Sequence, residues 1–567
     1  MKIFRKYLWI LALTAALLLV AVYPSPEEPT PLPRFVIPGL EDSQEQYISI
    51  FDDEKGNYYV FLPAYADLTK VTIQQASNQL YTLDETVLSN GMNCGDFQLE
   101  TPYAFSVNQE YVATFRFYQS ANVATMYVDT ISGNMEYLHC DKTHRENAAL
   151  SLYTADGALD YRDSLISLNG RGNSTWEYDK RPYTMSLSSD ASLLDMAAAK
   201  KWILLANAID ETNLNNKLFL DLGKKVGMQW TPDCQWVDLY LNGEYSGLYL
   251  LTEKVDVHEN RLSLDSNAGE FLCYVSPVYR WSELDNPFMT AAGRAVDIAY
   301  PKNTTASQLS EIESRVNQME AEILSGADLR ESSVIDLDSW VRKYLIDEIS
   351  ANIDADLASS YFYCSDDKII AGPLWDYDMV LGNSPRNHDP HAFLAKSYRK
   401  SRTKTSMYYD TLYRNESFHN RMVEIYLTEF LPELQRLEDT GIDAYIAFIE
   451  KASQSNSLRW RSVYDNLYAD VVHTPSALKD YFSKRLAFLN SAWLDNTPYC
   501  TVQFEPSYNG ASYLSVSVEK GGYFKSSYID TESTVWIDSE TGEVFDFSQP
   551  IVKDRIFWNE KMVNSTS

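Results

Sequence analysis

The sequence predicts an α+β protein: a central mixed domain flanked by small all-β, sandwich-like modules and preceded by an N-terminal signal or anchor segment. Three observations carry this. Short alternating apolar runs, broken by Asn, Gly and Asp clusters, crowd both ends of the chain. Between them strands come first and long amphipathic helices after, the order of an α+β domain rather than a doubly wound sheet. With 567 residues and 45% hydrophobic content, the chain exceeds what one core supports, about 250–300 residues.

In order along the chain, Lys2, Arg5 and Lys6 precede the apolar run Tyr7 to Tyr23. Residues 1–23 read either as a cleaved signal peptide or as a retained membrane anchor, because the run is long for the first and short for the second. Either way the basic flank stays inside and the remainder is exported. The expectation is a secreted or membrane-anchored, extracytoplasmic protein that touches a membrane only through this segment. Residues 24–45 are a Pro/Glu-rich linker, too poor in apolar side chains to fold. Residues 46–142, with YYVFLPAY, KVTIQQA, YVATFRFY and ATMYVDT, read as a β-sandwich-like module.

The central domain, 148–495, opens with strands around SLYTA, SLISLNGRG, YTMSLSS and KKWILLANA. A helix NNKLFLDLGKKVG and a hairpin turning at Asn242-Gly243 follow. Amphipathic periodicity then predicts helices over 306–324, 336–353, 408–437, 443–454 and 475–493. Alternation returns in 499–567 as a second β-module.

Acidic residues number 79 against 48 Lys plus Arg, a formal charge of −31. That field repels phosphates, which excludes a general nucleic-acid or anionic-membrane binder; a phosphate ligand would need local cations or a metal. The six cysteines show no paired metal-ligand spacing and are expected mostly as buried small apolar residues. The HDPH stretch places His388 and His391 close together with Pro390 between them, a polar loop rather than a metal site.

Three stretches of the central domain are costly for a purely structural protein. In LNGRGNSTWEYDKRPYTMSL, Gly170 and Gly172 flank Arg171 and Lys180 starts a strand, a layout able to hold phosphate oxygens; a plain turn is the competing reading. In NIDADLASSYFYCSDDKIIAGPLWDYDMVLGN, Asn352, Asp354 and Asp356 crowd a short connection, and Asp376 and Asp378 follow at the end of a strand. If that strand runs through Asp378, both carboxylates share one face. Converging carboxylates raise one another's pKa or recruit a hard divalent cation, Mg²⁺ or Mn²⁺. In VDLYLNGEYSGLYLLTEKV, Glu253 ends an apolar strand, either as a surface Glu or as a partner for Lys180.

These stretches, with KKWILLANAIDETNLNNKLFLDLG between them and YDTLYRNESFHNRMVEIYLTEFLPEL after, resemble the spore coat protein H-like (CotH) kinase family. The resemblance implies an atypical protein-kinase-like central domain that moves phosphoryl groups from ATP to Ser/Thr hydroxyls of a protein substrate, such as a coat or surface protein, with Mg²⁺ or Mn²⁺. Residue by residue it implies Asp354 as the catalytic group, with Asp356 the alternative two positions on. Lys180, Arg171 and Glu253 would be nucleotide-binding. Asp376, Asp378 and Asn352 would be metal-binding, Asn352 alternatively a helix cap. The HRD and DFG strings of typical protein kinases are absent. A rival expectation is a catalytically silent cell-surface scaffold or adhesion protein whose β-modules bind glycan or protein.

Overall fold

The computed structural model describes residues 31–39, 45–75, 77–395, 399–401, 404–405, 408–465, 472–505, 514–525, 529, 531 and 534–559. The signal or anchor segment, 1–23, lies outside them. Among the described residues no helix is long and apolar enough to cross a membrane. The chain divides into two units. Of the described residues, the first gathers those up to Leu62, those within Ala66–Gln119 and the turn Gly243–Tyr245, and the second holds the others.

The first unit is all β. A three-stranded sheet orders Gln46–Ser49, Arg34–Ile37 and Thr72–Gln74, and a six-stranded sheet is centred on Glu110–Gln119 and Tyr103–Val107. Phe35, Phe105, Phe115 and Phe117 are fully buried and supply its aromatic core. Two expected boundaries shift. Arg34–Ile37 lies inside the segment read as a linker, yet it pairs antiparallel on both sides and buries Phe35, Val36 and Ile37. Ala124–Thr130, read as the end of the module 46–142, belongs to the second unit, because both of its faces are covered there.

The second unit opens with a closed barrel in the order Ala124–Thr130, Arg145–Tyr153, Leu159–Gly170, Tyr183–Ala191, Ala199–Leu205, Glu244–Glu253 and Cys234–Leu241. Its seam is parallel, running from Ala124 opposite Val237 to Val128 opposite Leu241. Period-two alternation fills the inside with Met126, Leu150, Leu165, Met185, Trp202, Leu239 and Leu251. The predicted hairpin turn holds: Asn242 and Gly243 have φ of 52° and 82°, the mirror-image turn that matches strand twist.

A second, antiparallel sheet orders Pro287–Met289, Ala295–Tyr300, Phe271–Ser276, Ser360–Ser365 and Lys368–Ala371. Helices Asn215–Lys225, Ala306–Ser325, Leu337–Ile349 and Pro475–Trp493 share one large core with it. Thr305 and Gln308 close a reciprocal cap on the second of these, and Thr474 with Pro475 starts the last. The helix expected to reach residue 353 stops at Ile349, because Ala351 turns to φ 57°. The run 408–437 is interrupted at Asn415, which caps the next helix through Ser417 and Phe418, and again by a π turn at Tyr426–Phe430 ahead of Pro432. The C-terminal tract forms a four-stranded sheet with its own core around Val502, Phe504, Trp536 and Phe557. Five of the six cysteines are buried; Cys140 is exposed.

Candidate functional site

The loops joining the barrel strands and those of the second sheet enclose a cavity of about 420 Å³, within the size range of small-ligand sites. Four connections build it. The first follows the barrel strand Leu159–Gly170, where Gly172 adopts φ 92° and a Cβ there would lie 2.2 Å from Thr175 Oγ1. Only glycine lets the chain reverse at this point, and the reversal brings Arg171 to the cavity with its guanidinium over the Trp375 ring at 5.1 Å.

The second connection, 206–214, presents Asn207 ahead of a helix that carries Asn216. The Asn216 amide donates to Asn207 Oδ1 at 3.3 Å, and its oxygen accepts the Tyr377 backbone N–H at 2.9 Å. Buried Asp210 shapes this loop, accepting from the Thr212 and Asn215 backbone N–H groups at 3.0 and 2.9 Å.

The third connection links Leu337–Ile349 to Ser360–Ser365. Asn352 and Asp354 line the cavity from it, and Asn352 Oδ1 accepts the Asp354 backbone N–H at 2.9 Å. The Asp354 side chain is 38% exposed and stands 4.0 Å from Arg386. Asp356, only two residues on, turns the other way. It is 3% exposed, pairs with Arg294 at 3.0 Å and accepts the Tyr408 and Tyr409 backbone N–H groups at 2.9 and 3.3 Å. Of the two carboxylates weighed as the catalytic group, Asp354 alone faces the cavity.

The fourth connection follows Lys368–Ala371. The strand ends there, so Asp376 and Asp378 are not strand neighbours as expected; Asp376 sits in a loop at φ 70°. Both still line the cavity, because Tyr377 between them is drawn into the core. Asp376 stays open to the cavity, yet the protein packed round it lowers its hydration and raises its carboxyl above the ordinary range. The Ser359 hydroxyl donates to it at 2.8 Å and opposes the rise, Asp354 adds to it, and Arg171 and Arg280 oppose it. Asp378 rises further, through burial and then repulsion from Asp376 and Asp210. Burial likewise lowers Arg171, against the attraction of Asp376, Tyr361 and Asp378.

The expected convergence of four carboxylates is thus reduced to three, since Asp356 is spent on Arg294. Among the described residues no group of three or more His, Cys, Asp or Glu is arranged to hold a metal ion.

Two expected nucleotide residues lie away from the cavity lining. Lys180 is fully buried, donates to the Leu248 carbonyl at 2.8 Å and sits over the Tyr249 ring at 5.1 Å. Burial pushes its ammonium well below the usual range, with Asp210 and Asp238 opposing. Glu253 does not pair with it. Its oxygens accept the Ala197 and Asp233 backbone N–H groups at 3.1 and 3.0 Å, and its cationic neighbour is Arg261 at 3.6 Å.

Sequence reasoning missed Arg280 and Arg386, which join Arg171 on the lining, as well as Asn207, Asn216 and Ser359. Single arginines in loops carry no periodic or motif signal. The Asn207-to-Asn216 stretch, by contrast, lay inside one of the quoted segments, where its polar residues ahead of an apolar helix marked the turn.

In comparisons with known proteins, no curated protein matches the chain. A family model described as CotH kinase protein matches residues 168–489, more than half of the sequence and every cavity-lining connection. The chain belongs to the CotH kinase protein family.

Proposed function

We propose that this is an exported atypical protein kinase that transfers a phosphoryl group from ATP, with Mg²⁺ or Mn²⁺, to Ser or Thr hydroxyls of a coat or surface protein. The observation that carries the reading is the cavity lining: Arg171, Arg280 and Arg386 face Asp354, Asp376 and Asp378 across one space in a chain of net charge −31. The arginines supply the local cations that a phosphate ligand needs against that field. Burial, with repulsion from Asp354 on Asp376 and from Asp376 on Asp378, raises both carboxyls above the ordinary range, and their hard oxygens suit a divalent cation, with Asn352 on the same lining. When bound, that cation neutralises charge on the transferred group. Arg171, fixed on Trp375, orients the nucleotide phosphates. Asp354, its backbone pinned by Asn352, accepts and aims the acceptor hydroxyl. The basic flank and apolar run of residues 1–23 support the extracytoplasmic setting.

One observation favours the silent scaffold as a second reading: Lys180 is withdrawn from the cavity lining and bonded to Leu248. A single experiment separates the two. Thermal shift with ATP and Mn²⁺, together with radiolabel transfer to a generic protein acceptor and to the chain itself, is measured on wild type, Asp376→Ala and Asp354→Ala. The kinase reading expects a metal-dependent shift in wild type, its loss in Asp376→Ala, and a retained shift without transfer in Asp354→Ala. A wild type that shows no shift supports the scaffold.

A further inference from the structure

Asp347 lies in the last turn of helix Leu337–Ile349, fully buried and outside the cavity lining. Its Oδ1 accepts the Tyr377 hydroxyl at 2.6 Å and the Asn352 amide at 3.2 Å. Its Oδ2 accepts the Tyr409 hydroxyl at 2.9 Å and the Lys343 ammonium. Tyr377 is the residue between Asp376 and Asp378, and its ring stacks on Phe219 at 5.5 Å. Asn352, bonded to Asp347 through its amide, uses its oxygen to hold the Asp354 backbone. One carboxylate is therefore a single side chain away from each of the two loops that carry the cavity's acids.

Resting on the phosphoryl-transfer reading, we propose that Asp347 is a positioning residue that sets the spacing of Asp354 against Asp376 and Asp378 through Asn352 and Tyr377. Hydrogen bonds to a carboxylate are short and directional, and in a dry interior they resist bending. Lys343 sits against the same carboxylate and balances its charge, so four donors converge on Asp347. Other links join the loops: Leu381 N–H to the Ser350 carbonyl at 2.8 Å, the Asn387 amide to the Ala351 carbonyl at 3.0 Å, the Ser359 hydroxyl to Asp376 at 2.8 Å and Arg386 beside Asp354 at 4.0 Å. None of these uses the Asn352 amide or the Tyr377 hydroxyl, which meet on Asp347.

The geometry supplies its own control. Tyr377→Phe and Tyr409→Phe each remove one hydroxyl from the same carboxylate, but Tyr409 touches the acidic loops only through its backbone N–H on Asp356, which phenylalanine keeps. Comparable losses of melting temperature are expected from both. In steady-state transfer assays kcat is expected to fall about tenfold in Tyr377→Phe, the low end for residues supporting a metal or catalytic group, with the KM for nucleotide little changed, while Tyr409→Phe keeps its kcat. Equal kcat losses, or none in Tyr377→Phe, overturn the proposal. Hydrogen exchange reads the same point without turnover: Asp347→Asn, or Tyr377→Phe if the former does not fold, is expected to lose protection in both 350–359 and 372–387 and to keep it elsewhere. Loss in one segment alone, or throughout the unit, overturns it. A wild type that transfers no label refutes the kinase reading on its own, and the exchange comparison still decides the role of Asp347.

Discussion

Asp354 and Asp356 stand two residues apart, and the structure assigns them opposite consequences on removal. Asp356→Ala strips the partner from Arg294, whose side chain is 6% exposed, and frees two backbone N–H groups. Breaking a buried pair by removing one member costs about 3–5 kcal/mol, because the surviving charge is left without compensation. For a unit of roughly 450 residues, an unfolding entropy of about 2.1 cal/mol/K per residue gives about 0.9 kcal/mol/K, so the melting temperature is expected to fall by about 3–6 °C. Asp354→Ala removes a side chain 38% exposed with a cation no nearer than 4.0 Å, and partly exposed pairs of this kind contribute about 0–1 kcal/mol. Its melting temperature is expected within about 1 °C of wild type, with transfer abolished. Differential scanning calorimetry beside the radiolabel assay measures both. The double variant Asp356→Asn/Arg294→Met is expected to recover part of the lost stability, since no buried charge remains. An Asp356→Ala protein as stable as wild type, or an Asp354→Ala protein destabilised equally, would refute the assignment.

Three further outcomes follow from the cavity. Asp376 and Asp378 have folded-state pKa values raised above their unfolded ones, so they contribute stability below the unfolded values and lose it as pH rises through the folded ones. Metal-free Asp378→Asn is therefore expected to melt higher than wild type at about pH 8 and to match it near about pH 3; a difference independent of pH in calorimetry counts against the repulsion described. Arg171→Lys keeps the charge but gives up the stack on Trp375 at 5.1 Å; losing about 1 kcal/mol corresponds to a rise of about fivefold in nucleotide Kd, measured by calorimetric titration. Gly172→Ala must relieve a 2.2 Å approach to Thr175 Oγ1 at φ 92°, at about 1–3 kcal/mol. Weaker nucleotide binding than in Arg171→Lys is expected, because the whole Arg171 loop moves.

Local chemistry was legible where it is decided locally. Thr474 and Pro475 fixed the start of the last helix, and Asn242-Gly243 fixed the hairpin, because caps and mirror-image turns depend on a few adjacent residues. The strand Arg34–Ile37 was not legible: prolines surround it, and its case rests on Gln46–Ser49 and Thr72–Gln74 lying beside it. The same limit governed the site. Two aspartates in an Asp-Ala-Asp string look alike until Arg294, distant in sequence, claims one. Lys180 was expected to start a strand, which in the structure begins only at Tyr183, and closure of the barrel is what reveals that its ammonium ends against the Leu248 carbonyl. The pairing of Asp376 with Asp378 was expected from strand period and is achieved by another route, with Tyr377 drawn inward by Asp347.

The parallel seam between Ala124–Thr130 and Cys234–Leu241 has a consequence for how the acceptor of the proposed reaction would be recognised. A sheet closed on itself presents no free ladder of N–H and C=O groups, so an extended peptide cannot be captured by strand addition along the barrel wall of the cleft. Recognition on that wall falls to side chains projected from the loops, and selectivity there is open to change by single substitutions without loss of the scaffold beneath.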